Sequence, residues 1–310
     1  MKLSISIVNW NTKDLLVKCL ESISNSTYKD LEIFVIDNNS SDESAKIVKT
    51  RFPSVHLIEN TDNLGFGKAN NLALREIHGK YALILNPDIV FFEDTINDMI
   101  DFMDNNPSAG AIGISLLDQN MEEDTRGYFR KFPSILQVLF FYTLLERFTL
   151  KSAWLKNKLW SSSTSSDIIE IEQVPGACLL VRRDILEKIG LFDEVFPLFF
   201  EDVDLCYRIH QSGHKILYVP SIRAIHIGAQ SISKLTYTEL AGRFFYGMIY
   251  FFRKHHSKTK ANVVKVIIII NTWFKYFFVR SLYYLSDYKR NKRKEHTDML
   301  RQFMRNLWKM

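Results

Sequence analysis

Two groups of acidic residues in this 310-residue chain stand where carboxylates do chemistry. Asp88 follows the apolar run Tyr81–Asn86, directly after Pro87. A carboxylate at the end of a buried strand, beside backbone donors, is placed to hold a divalent cation that bridges phosphates. One carboxylate plus substrate phosphates and water is a common way to bind magnesium. A plain turn after proline would also put an Asp here. Glu201, Asp202 and Asp204 open a helical pattern, where acids complement the helix dipole. The same position suits a general base that takes a proton from an acceptor hydroxyl. Phe196, Phe199 and Phe200 precede these acids and serve to desolvate them, to stack on a ligand ring, or as core. A third group is dispersed: Asn9 and Asn11, Asp37 and Asn38, Asn60 and Asn63, and Asn86 with Asp88 close four apolar runs. One such pair is an ordinary turn. Four at successive strand ends predict one polar rim, because open α/β sheets bind ligands at the carboxyl ends of their strands.

The elements that must position these residues are legible as alternating patterns. Leu3–Val8 reads as a buried strand. Thr12-Lys13-Asp14 opens a helix with apolar positions Leu15, Leu16, Cys19, Leu20 and Ile23, a spacing of three and four. LEIFVID is a second strand, and Ser41 is expected to cap the helix after it. VHLIEN is a short strand. A loop at Gly65 and Gly67 leads to a helix from about Lys68 to Ile77, and YALILN is a further strand. Strands that alternate with helices across short polar loops predict a mostly parallel sheet flanked by helices. Residues 111–175 are less regular. Phe132–Phe148 reads as a very apolar helix and Ser161–Asp167 as a loop. VPGACLLVRR holds a strand entered through Pro175-Gly176, and Asp184 is expected to cap a helix that ends at Gly190. Phe199–Gly213 is another helix, KILYVP a strand, and His226 falls on a strand or loop.

Composition narrows the chemistry. Hydrophobic residues are 46% and charged residues 24%, ordinary for a globular chain. The three scattered cysteines suit neither a disulfide framework nor a zinc site, which favours buried thiols in a reducing compartment. There is no G-x-x-x-x-G-K-[ST] loop, and Asn63-Leu64-Gly65-Phe66-Gly67 is not a dinucleotide fingerprint. No G-x-S-x-G elbow is present, so kinase, P-loop, dehydrogenase and α/β-hydrolase readings fall away.

The pieces, in order, resemble the family-two glycosyltransferases of the GT-A fold, especially their bacterial rhamnosyltransferase-like branch. The resemblance is carried by SIVNWNTKDLLVKCLESI, FVIDNNSSDES, ENTDNLGFGKANN, LILNPD, VPGACLLVRRDILEKIGLFDE, FFEDVDLCYRIHQSGHKILYVP and AIHIGAQS. They span Ser6 to Ser231, nearly three quarters of the chain. It implies a GT-A, Rossmann-like catalytic domain over 1–230, with a nucleotide-sugar half at about 1–110 and an acceptor half at about 111–230. It implies that Asp37 contacts the base of a nucleotide diphosphate sugar, and that Asn9, Asn11, Asn63, Gly65 and Asn70 line the nucleotide pocket. Asp88 matches the last residue of the family's D-x-D metal motif, whose first position is here Asn86, on the donor side. Asp202 matches the catalytic base, with Gly176 and Glu201 toward the acceptor. His226 matches a late histidine that supplies a second ligand to Mg2+ or Mn2+. The implied reaction is inverting transfer of a sugar, rhamnose in this branch, to a hydroxyl of a lipid-linked or polysaccharide acceptor. The rivals are a nucleotidyltransferase, for which SIVNWNTK supplies only one basic residue, and a non-catalytic membrane-bound nucleotide-sugar-binding scaffold.

Charge is split along the chain. Residues 231–310 hold 17 of the 40 Lys+Arg but 4 of the 35 Asp+Glu, a net of +13 against −8 for the remainder. The acidic body argues against a nucleic-acid partner. In VVKVIIIINTWFKYFFVRSLYYL, Lys265, Lys275 and Arg280 share one arc of about 140° at about 100° per residue. The rest is apolar, the pattern of a helix that lies in a membrane interface. The uncharged runs Phe132–Leu145 and Val266–Phe274 count 14 and 9 residues, and a span needs about 20. The expectation is a helical tail over 231–310 that binds anionic membrane without crossing it, or else packs on its own catalytic domain or on a second subunit in a homodimer. Either way the protein is placed in the cytoplasm, peripheral on the inner face of the cell membrane.

Overall fold

The computed structural model describes residues 1–123, 131–141, 167–228, 236–285 and 301. The described chain divides into two compact units. The first carries strands β1 (Leu3–Asn9), β2 (Leu31–Asp37), β3 (His56–Glu59), β4 (Tyr81–Leu85), β5 (Ile89–Phe91), β6 (Ala109–Leu117), β7 (Ile169–Glu170), β8 (Cys178–Arg182) and β9 (Lys215–His226). Its helices are α1 (Lys13–Asn25), α2 (Ser44–Arg51), α3 (Phe66–Leu74), α4 (Thr95–Asn105), α6 (Arg183–Ile189) and α7 (Glu201–Gln211). The second holds α5 (Ile135–Phe141), residues Leu198–Phe200, α8 (Tyr237–His255) and α9 (Lys258–Leu285).

The strands form one sheet in the order β3-β2-β1-β4-β8-β6-β9-β5, with β7 on β9. β3, β2, β1 and β4 run parallel, whereas β8 lies antiparallel between β4 and β6. β4 and β6 are buried along their whole length, as strands covered on both faces must be. α1 covers this sheet with Leu16, Cys19, Leu20 and Ile23, the helical spacing read from the sequence. The three cysteines are buried and free. Burial pushes the Cys178 and Cys206 thiols up to about 12 and that of Cys19 higher still, so they pack as small apolar groups.

Several local expectations shift. Ser41 does not cap α2: the helix begins at Ser44 after Glu43 in a left-handed conformation. Asp42 does the local work instead, accepting from the amides of Lys13 (2.8 Å) and Ser44 (3.1 Å). Its burial opposes charge, but the Ser44 hydroxyl and these amides outweigh it and hold the carboxyl below its ordinary value. Asp184 lies in the first turn of α6, not at its cap, which is Arg182. α3 starts two residues early, at Phe66, and ends at Leu74. Residues 111–175 contain most of a nine-residue buried strand, β6, that the sequence pattern did not reveal. Of the apolar helix expected over Phe132–Phe148, Ile135–Phe141 is helical; its remainder after 141 and nearly all of the Ser161–Asp167 loop lie outside the described residues.

Candidate active site

Register carries the rim. Asn9 pairs with Asp37 and Asp37 with Glu59, so β1, β2 and β3 end together, and β4 ends beside them at Leu85. Leu85 also pairs with Cys178, the first residue of antiparallel β8, which brings the segment before β8 to the same edge. β9 runs parallel to β6 and finishes there with His226. One sheet edge therefore gathers Asn9, Asp37, Asn60, Asn86, Asp88, Gly176 and His226.

At the β1–β2 end the polar side chains brace one another. The Asn9 amide is wholly buried and donates to Asp37 Oδ1 (3.0 Å) and Ser40 Oγ (3.1 Å). The Ser40 amide donates to Asp37 Oδ2 at 2.9 Å, and the Asn11 amide to Ser40 Oγ at 2.9 Å. Each Asp37 oxygen thus accepts one bond and keeps capacity for another. Asn11 takes φ 54°, and its Oδ1 accepts from the Ser41 amide at 2.7 Å. Asn70 is also fully buried. Its Oδ1 accepts from Ser6 Oγ (2.7 Å) and its Nδ2 donates to the Phe66 carbonyl (3.0 Å), so it braces the loop from within instead of facing the open rim.

The sequence places Asn38 on the rim without a role, and the structure makes it a hub. Its Nδ2 donates to Asn63 Oδ1 (3.1 Å) and the Gly65 carbonyl (3.2 Å), while its Oδ1 accepts from Asn60 Nδ2 (3.0 Å) and the Leu64 amide (3.1 Å). All four bonds fix loop 60–65. Gly65 holds φ 81°, and a Cβ there would meet the Pro197 carbonyl oxygen at 3.0 Å. Ser40, which no sequence pattern singles out, ties Asn9, Asn11 and Asp37 together. The only signal for either residue is the polar density of DNNSS.

Asp88 sits past β4 with its side chain 10% exposed, and His226 Nε2 lies 3.4 Å from its Oδ2. The Ile227 amide donates to the Asp88 carbonyl at 2.9 Å, which ties the end of β9 to this turn. Among the described residues Asp88 Oδ1 is buried with no hydrogen-bond partner. A buried carboxylate oxygen left bare is costly, and a bound cation is one group that would satisfy it. One carboxylate and one imidazole suit Mn2+ or Mg2+ only if a substrate completes the shell. Among the described residues no third His, Cys, Asp or Glu joins them. Asn86, half-buried, gives its backbone amide to the Ala177 carbonyl (2.8 Å).

Asp202 stands in the first turn of α7. Its Oδ2 accepts the Gly176 amide at 3.0 Å and its Oδ1 the Val203 amide at 2.8 Å. A Cβ at Gly176 would meet Phe66 Cε1 at 2.9 Å, so glycine here leaves room for the Phe66 ring beside the Asp202 contact. Glu201 is buried at 4% exposure. Asp204, wholly buried, pairs with Arg208 at 2.8 Å, and Arg208 also donates to the carbonyls of Ile189, Gly190 and Leu191. Asp204 is therefore committed to pinning that loop on α7, which leaves Asp202 as the half-exposed acid of the three. Phe199 and Phe200 precede α7 with φ 67° and 70°. Two non-glycine residues in this region cost about 1–2 kcal/mol each. Phe200 is buried against Phe244 and Phe251 and belongs to the core of the second unit.

This geometry can be set beside known proteins. The sequence profile described as Glycosyl transferase family 2 matches residues 4–190, more than half of the chain. The chain belongs to this family. It is 27% identical over 255 residues to N-acetylglucosaminyl-diphospho-decaprenol L-rhamnosyltransferase of Mycobacterium tuberculosis, covering 77% of this chain and 80% of that protein. Identity to rhamnosyltransferase WbbL of Escherichia coli is also 27%, over 230 residues, covering 72% and 82%. Among solved structures, mannosyltransferase PcManGT from Pyrobaculum calidifontis, in complex with GDP-Man and Mn2+, matches with TM-score 0.55 at 16% identity, over 99% of this chain and 85% of that one. The S. aureus TarS 1-349 structure matches with TM-score 0.55 at 15% identity, over 86% and 69%. The family makes the chain a glycosyltransferase and removes the nucleotidyltransferase alternative; the structural likenesses bear on fold.

Proposed function

We propose that this enzyme moves rhamnose, with inversion, from a nucleotide diphosphate sugar to a hydroxyl of a lipid-linked glycan acceptor, at the inner face of the cell membrane. The carrying observation is the single sheet edge that gathers Asp37, Asp88, His226 and, through Gly176, Asp202. Rhamnose and the lipid-linked acceptor are suggested by the printed activities of the mycobacterial and Escherichia coli relatives.

In this reading Asp37, held by Asn9 and Ser40, presents its spare acceptor sites to the nucleotide base. Asn11, Asn63 and Gly65 border the nucleotide, with Asn70 and Asn38 bracing that loop, and Asn86 lies on the donor side. Asp88 and His226 would hold a divalent cation together with the donor diphosphate; when bound, it offsets charge on the departing diphosphate. Asp202 takes the proton of the acceptor hydroxyl. The hydroxyl oxygen then bonds to the anomeric carbon on the face opposite the diphosphate, and the carbon–oxygen bond to the diphosphate breaks. Gly176 keeps the Asp202 carboxylate aimed, and Glu201 borders the acceptor.

The test is purified protein with a panel of nucleotide sugars, an activated rhamnose among them, and a lipid diphosphate-linked amino sugar as acceptor. Acceptor-dependent nucleoside diphosphate release with the activated rhamnose alone supports the reading. Donor binding with no release from any sugar overturns it in favour of a binding scaffold.

A further inference from the structure

The long helix α9 presents two unlike faces. Ala261, Val264, Ile268, Asn271, Thr272 and Tyr276 are buried where it packs on α8 and α5. Opposite them Val263, Val266, Ile270, Trp273, Phe274, Phe277 and Phe278 are exposed, between 40% and 62%. At about 100° per residue these seven fall within one arc of about 140°. Lys265 and Lys275, expected from the sequence to mark the polar side, are half-buried outside that arc. An unbroken exposed stripe of two branched residue types, a Trp and three Phe is unusual for a surface left in water.

Charge indicates what covers it. Arg253, Lys254, Lys258 and Lys260, all exposed, sit in the residues just before the stripe, and the whole 231–310 segment carries a net +13. A second copy packed in parallel along α9 would bring the same cations together, and one packed antiparallel would set them beside a stripe that holds no acidic residue. An anionic lipid surface would accept the apolar stripe among its chains and the cations among its phosphates. Segment Lys258–Phe278 is long and apolar enough to cross a membrane by length and composition. Its packed face, with Asn271 and Thr272 buried, is already committed to α8 and α5, so only one side remains for lipid.

We infer that α9 docks the enzyme in the plane of an anionic bilayer through the Val263–Phe278 stripe, without spanning it. The proposal rests on the function above only for its purpose, bringing the enzyme to a lipid-linked acceptor. The experiment is flotation of the full chain with phosphatidylcholine vesicles, with and without phosphatidylglycerol. Wild type should float with the phosphatidylglycerol vesicles and be partly released by high salt, since salt screens charge while apolar burial persists. Phe274→Glu/Phe277→Glu should weaken vesicle binding about tenfold or more with an unchanged melting temperature. Trp273→Phe should remove part of the vesicle-induced blue shift in fluorescence. Equal flotation of the double variant would overturn the proposal. So would resistance of the wild type to alkaline extraction, which marks a span, or a stripe-dependent dimer that ignores vesicles. Nucleotide-sugar binding by the wild type, measured on the same preparations, tests the catalytic reading separately, so its absence would indict that reading while vesicle flotation alone decides the docking surface; the stripe variants should match the wild type in that binding.

Discussion

Asp202→Asn is nearly isosteric, yet the structure shows that it is not electrically silent. Both carboxylate oxygens accept backbone amides, Gly176 N–H at 3.0 Å and Val203 N–H at 2.8 Å. An asparagine offers one oxygen and one NH2, so one of those amides would face a donor. Losing that bond at a half-exposed side chain costs about 1 kcal/mol of stability, the low end of about 1–3 kcal/mol for an unsatisfied group. Removing the base should cost about two to four orders of magnitude in turnover. At about 1.4 kcal/mol per tenfold, that is about 3–6 kcal/mol of barrier. Chemistry should therefore suffer far more than folding. Asp204→Asn should show the reverse, because Asp204 is buried and paired with Arg208. Breaking such a pair costs about 3–5 kcal/mol. The assay pairs steady-state turnover with denaturant melts and donor titration for both variants. Asp202→Asn within tenfold of wild-type turnover would refute the assignment, and a larger loss in Glu201→Gln would move the base to Glu201.

Three further outcomes follow from the geometry. Excess chelator should abolish transfer and added Mn2+ or Mg2+ restore it, while Asp88→Ala should weaken donor binding in the presence of metal and leave it unchanged without; full activity in chelator would count against the Asp88–His226 site. Asn38→Ala removes four hydrogen bonds to loop 60–65, so at about 1 kcal/mol each the loss of stability should reach about 2–4 kcal/mol, with donor affinity falling alongside in calorimetry. Hydrogen bonds from Lys2, Lys80 and Tyr81 hold Asp104 well below the carboxylate range. Because its folded value is depressed, its contribution is whole above the unfolded pKa of about 3.9 and is lost as pH falls toward the folded value; urea midpoints below about pH 4 should fall less steeply in Asp104→Asn than in wild type.

The sequence makes β1, β2 and β4 legible because each is an apolar run closed by Asn or Asp, and their register then brings those closures to one edge. β6 is hidden because AGAIGISLL has two glycines and two alanines, weak strand formers, and gains its place from neighbours far along the chain. Antiparallel β8 is equally non-local: its strand character is readable, its direction is not. At the site, residue types are legible and partnerships are not. Asp202 meets Gly176 across 26 positions and Asn38 meets Gly65 across 27, and no local pattern encodes such pairs. Asn9 and Asn70 are expected at the nucleotide pocket from the family resemblance, Asn9 at a strand end and Asn70 inside α3; no local pattern reveals that both side chains are fully buried and bonded to Asp37, Ser6 and the Phe66 carbonyl.

The most direct test of the central claim is the stereochemistry of the product. The purified enzyme is given an α- or β-configured nucleotide sugar it accepts, the lipid-linked acceptor and a divalent cation, and the new glycosidic bond is read by nuclear magnetic resonance. Direct attack by a hydroxyl deprotonated at Asp202 predicts one nucleoside diphosphate released per bond formed and an anomeric centre opposite to that of the donor. Retained configuration would contradict the account, because it requires a second displacement or a front-face route that a single base at Asp202 does not provide.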